Sequence, residues 1–350
     1  MSRDLIQFLK QSLRLLRQKI RKFAGAHLFK LLKFCCILLK PKVVLTYLNT
    51  SKADGIGAQI QRILAIRSLS ASLHLGYLHT EINSIAIHPL DSYQNKDEMN
   101  TFLLKLNHEF WMHNSEEYLV ENLRERQTNT LTFSFLFSSI FISKFSKKQT
   151  LIRLVEPYPI SEYDSNLYKG ILRFIPNFEL PPKTGFVVAV HYRRGVGGFA
   201  VQRGERVSRE IIGNYFAALA KEIIDAQQVP GLRLLVFTDS PTDDVIFTPP
   251  DDQSHLWTNS TSFSDGKMHV LGLDVEEVFK DISVDVKVVY GGDPLEVIKS
   301  LASADHLVLS RSSFGYVAAI LNNKGKVYFP SQFWHTPMKG WRVIRESIYE

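Results

Sequence analysis

The chain has 350 residues, 45% of them hydrophobic and 22% charged, with a net charge of +7. That is the composition of a globular protein long enough for two domains, and it excludes a disordered, collagen-like or disulfide-stapled chain. Eleven basic residues but one acid, Asp4, fall between Met1 and Lys42, so this segment is +10 and the remaining chain −3. The high pI is thus a property of an N-terminal arm, which argues against a nucleic-acid-binding face on the body.

Residues 4–23 read as an amphipathic helix, with Leu5, Leu9, Leu13, Leu16, Ile20 and Phe23 on one stripe and Arg14, Arg17, Lys19, Arg21 and Lys22 around it. A second basic and apolar segment, Leu28–Leu39, follows before Pro41. Lys30 and Lys33 interrupt it, so neither a transmembrane span nor an ordinary secretory signal is expected. Basic amphipathic helices of this kind lie on anionic membrane surfaces. The expectation for residues 1–40 is therefore a cytoplasmic protein peripheral to a membrane. The alternatives are a helix packed on the body or one that binds a partner. Cys35 and Cys36 are adjacent, with neither zinc-site nor disulfide spacing, and suggest a reducing compartment.

Val43–Leu48 predicts a strand, residues 49–57 a polar loop with Gly55 and Gly57, 58–72 a helix and 75–79 a second strand. This is the opening of a Rossmann-like unit. Gly55-Ile56-Gly57 lacks the third glycine of a dinucleotide fingerprint, which argues against a nicotinamide cofactor. Helices are expected over 96–108 and 115–126, and Leu131–Phe145 is apolar enough for core or contact surface. Five prolines between 157 and 182 suit a domain connection. The second half alternates: strand 186–190, helix 208–226, strand 232–237, an irregular stretch 239–268, strand 286–290, helix 294–303, strand 306–310, helix 313–321 and strand 326–329. That order predicts a parallel, doubly wound sheet. The expected organisation is an arm over 1–42, an α/β domain over 43–185 and a Rossmann-like domain over 186–350. Phe333, Trp334, Trp341 and Tyr349 in the tail should pack on the body.

Three loops in the second half follow predicted strands. The first carries His191, Arg193, Arg194 and Gly195, the second Thr238 and Asp239, the third Ser310, Arg311, Ser312, Ser313 and Phe314 at a helix start. Ligands of open α/β sheets bind at the carboxyl ends of strands. Arginine offers a planar, permanently charged fork to phosphate, and a helix N-terminus presents free N–H groups. Together the loops predict a nucleotide-diphosphate site. Taken singly, Ser312 reads as an N-cap, Asp239 as a turn residue and the arginines as partners for surface carboxylates.

His191-Tyr192-Arg193-Arg194-Gly195 resembles the His-x-Arg-Arg-Gly motif of α-1,2-fucosyltransferases and the wider GDP-fucose-dependent superfamily. Residues 303–322, Gly55–Gln61 and Val236–Asp239 are similar to three further motifs of that family, in family order. Val196 stands where the family has Asp, and Gly315-Tyr316-Val317 replaces its Ser-Trp-Trp. The resemblance implies a GT-B-like fold of two Rossmann-like domains and an inverting transfer of a sugar, fucose from GDP-fucose, to a glycan hydroxyl. It implies no metal and no cofactor beyond the GDP-sugar itself. By position, Arg194 would bind the β-phosphate, with Arg193 beside it, and Ser312, Ser313 and Phe314 would hold the diphosphate. Asp239 is a candidate for the nucleoside end. The loop of Asp54, Gly55, Gly57 and Gln59 is a candidate for donor or acceptor contact. Inversion needs a base for the acceptor hydroxyl, and Glu205, His191 and Asp54 are the candidates. Another nucleotide sugar on the same fold, or a scaffold that binds without turnover, remains open.

Overall fold

The computed structural model describes residues 24–49, 54–86, 96–114, 123–146, 148–157, 160–164, 166–182, 184–193, 199–202, 205–208, 211, 214–248, 263–265, 267–270 and 272–349. The predicted helix over 4–23 lies outside them. The chain divides into two compact units. The first comprises Met1–Leu48, Arg62–Thr80 and His113–Lys169; the second comprises Asn49–Gln61, Glu81–Met112 and Gly170–Glu350.

The first unit contains helix α1 (residues 24–39), strand β1 (Val43–Tyr47), most of helix α2 (Ile56–Ser72) and strand β2 (Gly76–Tyr77). In the second unit lies α3 (Lys96–Glu109), after which the chain returns to the first through β3 (Leu123–Thr130), α4 (Phe133–Phe145) and β4 (Gln149–Glu156). Its sheet has the order β2-β1-β4-β3, with every pair parallel. All five residues of β1 are buried, as a central strand covered on both faces requires. The helix expected over 115–126 is corrected at its described end, where residues 123–130 form β3. LRERQTNT has good helix formers but no apolar face, and parallel pairing with β4 decides its conformation. Leu131–Phe145 becomes α4, whose N-cap Thr132 accepts from the Phe135 N–H at 3.2 Å.

The second unit is built on β5 (Val187–Tyr192), the hairpin β6 (Phe199–Gln202) and β7 (Glu205–Ser208), α5 (Tyr215–Gln227) and β8 (Arg233–Thr238). A small antiparallel sheet follows, from β9 (Val245–Phe247), β10 (Phe263–Ser264) and β11 (Lys267–Val270). Then come α6 (Val275–Val278), β12 (Asp285–Tyr290), α7 (Pro294–Ser303), β13 (His306–Val308), α8 (Ser313–Leu321), β14 (Lys326–Pro330) and β15 (Arg342–Ile344). The main sheet is wholly parallel, in the order β12-β8-β5-β13-β14-β15.

Counted from β5, this sequence of strands runs third, second, first, fourth, fifth, sixth, the order of dinucleotide-binding sheets. Val188 and Val190 face a core formed with Phe216, Leu219 and Ile223 of α5 and with Val275 and Phe279 at α6. Val187, Ala189 and His191 alternate to the opposite face. The helix expected from 208 begins at Tyr215, because residues 199–208 pair as a hairpin. The irregular reading of 239–268 is likewise corrected in part by β9, β10 and β11. Both units are Rossmann-like, as a GT-B-like chain requires.

Candidate functional site

Winding reverses at β5. From there the chain steps outward through β8 and β12, then returns to the other side of β5 to place β13. The carboxyl ends of β5 and β13 therefore border the topological switch point of the sheet, where open α/β folds form their ligand crevice. His191 pairs in register with Phe237, and Val190 with Val308, so the loops after β8, β5 and β13 emerge side by side.

Arg193, the first residue past β5, reaches into both neighbouring loops. Its Nε lies 3.2 Å from Asp239 Oδ2, and its Nη1 donates to Ser312 Oγ at 3.1 Å. Ser312 is the N-cap of α8, and the same hydroxyl oxygen accepts from the Phe314 N–H at 3.3 Å. An arginine, an aspartate and a capping serine from three loops thus form one connected group. Its guanidinium is held in position by the protein.

Behind this group sits His191, only 7% exposed. Its Nδ1 and Ser310 Oγ are 2.7 Å apart, joining the ends of β5 and β13 across the switch point. The ring stacks on Phe314, with centroids 5.6 Å apart and planes at 29°. Burial, and secondarily the Arg193 charge, lower the pKa of His191 to about 3, so the imidazole is neutral at physiological pH. Gly315 makes the packing possible, because a Cβ there would lie 2.8 Å from His191 Nδ1.

The N-terminal glycine loop belongs to the same unit. A Cβ on Gly57 would lie 2.4 Å from both the N and Cα of Phe314, so the start of α2 is pressed against the start of α8. Two helix N-termini, each the positive end of a macrodipole, converge there. Gly55 precedes α2, and its carbonyl accepts from the N–H groups of Ala58 and Gln59. Gln59 is buried, its amide nitrogen donating to the carbonyls of Asp54 at 3.0 Å and Ser84 at 2.7 Å. That bond pattern fixes the loop. The Asp54 carboxylate accepts from the Gly55 N–H at 2.8 Å.

The structure brings His191, Arg193, Asp239, Ser312, Ser313 and Phe314 together, with Gly57 against them. Arg194 lies outside the described residues. Glu205 begins β7, and its side chain is outside them too. Among the described residues, no group of three or more His, Cys, Asp or Glu is placed to hold a metal ion.

The sequence places Ser310, Arg311 and Ser313 in the third loop, but their partners are found only in the structure. Ser310 has the hydrogen bond to His191. Arg311, between two site serines, turns away and donates to Glu346 Oε1 at 2.8 Å, with both side chains buried. Ser313 Oγ lies 2.9 Å from His335 Nε2, and His335 Nδ1 lies 3.1 Å from the Gln61 amide. Gly315 was visible in the sequence only as a departure from a motif, and its packing role follows from His191. Glu346 and His335 have no local sequence signal, because their partners come from distant parts of the chain.

No family model and no curated protein matches the chain. Among solved structures it is similar to the E. coli heptosyltransferase WaaC with ADP-2-deoxy-2-fluoro heptose, at 10% identity over 87% of this chain and 93% of that one, with a TM-score of 0.35. It is similar to POFUT1 in complex with GDP, at 12% identity over 86% and 97% of the two chains, with a TM-score of 0.36. The E. coli ADP-heptose lps heptosyltransferase II gives 13% identity over 87% and 90%, with a TM-score of 0.33. Likeness at this level establishes neither substrate nor chemistry, which rest on the side chains at the switch point.

Proposed function

We propose that the chain is an inverting glycosyltransferase that holds the diphosphate of a sugar donor at the crevice between β5 and β13. The supporting observation is the joining of Arg193, Asp239 and Ser312 at the carboxyl ends of three adjacent parallel strands, beside the starts of α2 and α8. As the bond between the sugar's anomeric carbon and the phosphate breaks, negative charge builds on the leaving diphosphate. A guanidinium already fixed by Asp239 and Ser312 stabilises that charge without reorganising. Its remaining N–H donors face the task of binding phosphate oxygens. Arg194 supplies a second guanidinium in the motif's arrangement, and this mechanism calls on no metal ion. His191, neutral and buried, positions the loops of β5 and β13. The acceptor hydroxyl attacks the opposite face of the anomeric carbon and gives its proton to a carboxylate, Asp54 or Glu205.

The sequence motifs favour GDP-fucose as donor and a glycan as acceptor. Val196, standing where the resembled family has Asp, favours a second reading in which the site takes another nucleotide sugar or binds without turnover. A donor screen decides among these. Release of nucleoside diphosphate is measured from GDP-, UDP- and ADP-sugars, with and without chelator. The first reading predicts release from GDP-fucose that chelator leaves unchanged. Release from another donor supports the second, and no release with measurable binding supports the scaffold.

A further inference from the structure

We propose that the outward faces of α1 and α4, both in the first unit, form a docking surface for an anionic phospholipid bilayer.

Helix α1 is apolar on two sides. Gly25, Phe29, Leu32 and Cys36 recur at spacings of four, three and four and are buried. Leu28, Leu31, Phe34 and Leu38 form a second stripe that faces outward, at 41, 51, 58 and 63% exposure. A helix on the surface of a globular protein needs only the first stripe. Helix α4 repeats the pattern: Phe141 and Phe145 share a face with Lys144, at 52 and 86% exposure for the two phenylalanines. The two helices are adjacent at this end, since Lys144 Nζ donates to the Leu39 carbonyl at 3.2 Å. Exposed aromatic and aliphatic side chains therefore gather around the carboxyl ends of two neighbouring helices, the arrangement that marks an interaction surface.

Charge selects the occupant. Residues 24–48 and 131–150 contain no acid, and they carry Lys30, Lys33, Lys40, Lys42, Lys144, Lys147 and Lys148. Residues 1–23 have an apolar stripe of their own, but seven of them are basic and one is acidic, so covering this face with them would set like charges against its lysines. A second copy would set the same lysines against each other. A bilayer with anionic headgroups satisfies both requirements: its acyl region takes the apolar stripe and its headgroups take the ammonium groups, which reach outward on flexible stems. Over its described residues, 24–39, helix α1 carries Lys30 and Lys33 within its apolar run, which suits a helix lying in the interface plane rather than across the bilayer. No described helix is long and apolar enough to cross a membrane.

The test is flotation of the full chain with vesicles of phosphatidylcholine alone or mixed with phosphatidylserine. The compared variant is Phe34→Glu/Leu38→Glu/Phe145→Glu, and these exposed positions leave the fold and GDP affinity unchanged. Wild type should float with the mixed vesicles only, and the variant should lose binding by about tenfold or more, the equivalent of one buried apolar side chain. A second variant, Phe145→Trp, should give emission that shifts to the blue with mixed vesicles only. Three results would overturn the proposal: a triple variant that floats like wild type, equal flotation with neutral vesicles, or a wild-type dimer that the triple variant splits and that binds no vesicle. Nucleotide binding is read on the same samples, so failure of the donor site would be seen separately.

Discussion

His191 is the residue on which the two halves of the switch point meet, and its burial has a measurable consequence. Its folded pKa of about 3 lies below the ordinary value of 6.5. The unfolded chain therefore binds a proton that the folded chain does not in the window between those values. Its contribution to stability is intact above about pH 6.5 and is lost as pH falls toward 3, by at most about 1.4 kcal/mol per pH unit. His79, lowered to about 4 by burial, acts in the same direction in the first unit. Urea midpoints should fall between pH 7 and 5, and more shallowly in a His191→Gln protein. An identical slope in the two proteins would mean that His191 is not held neutral by the fold.

At the scale of elements, the site depends on two helix starts that approach more closely than any side chain permits. Gly57→Ala puts a methyl group against Phe314 backbone atoms, which cannot rotate away. Gly315→Ala puts one against the His191 ring. Each should cost about 1–3 kcal/mol, as overpacking does, and should weaken donor binding by displacing α8 from Arg193. Calorimetry and thermal unfolding of the two variants check both effects.

The same elements show what the sequence makes legible. The expected bounds of α7 and α8 match the structure, where Asp293 caps α7 and Pro294 opens it, and Ser312 caps α8. Strand β5 was legible as a β-branched run, and its arginines by their position after it. Strand β3 was not, because a polar edge strand carries no hydrophobic period and is specified by its neighbour β4. The contact between Gly57 and Phe314 was equally hidden: glycine pattern announces that something comes near, but not what.

Across the whole molecule, the C-terminal tail returns to the site loop. Arg311 is flanked by the two serines that hold His191 and Arg193, and its guanidinium is buried against Glu346. Burial disfavours the Glu346 carboxylate, but hydrogen bonds from Ser331, Arg311 and the Gln332 N–H outweigh it and hold the pKa below the usual range. Its contribution to stability is full above about pH 4.5 and is lost as pH falls below that value through the lowered folded pKa. Glu346→Ala removes the carboxylate that faces the buried Arg311 guanidinium and should cost about 3–5 kcal/mol, part of which Arg311→Met in the same chain restores. Urea unfolding of the single and double variants measures this. The tail aromatics belong to the same anchoring, with Trp341 packed edge-on to Tyr316 and Tyr349 to Tyr215. The lysine-bearing helices α1 and α4 lie in the first unit, whereas the switch-point crevice lies in the second. The proposed membrane contact and the proposed donor binding should therefore be separable by mutation.

The central claim is that Arg193 and its partners bind a nucleoside diphosphate at the switch point. Calorimetric titration of GDP and UDP into wild type and Arg193→Ala, without added metal, tests it most directly, with the thermal midpoint read on the same samples. GDP should bind more tightly than UDP, and the variant should remain folded but lose about ten- to a hundredfold in affinity, the worth of a hydrogen bond to a charged group. Unchanged GDP affinity in a folded Arg193→Ala protein, or no binding of either nucleotide by wild type, would contradict it.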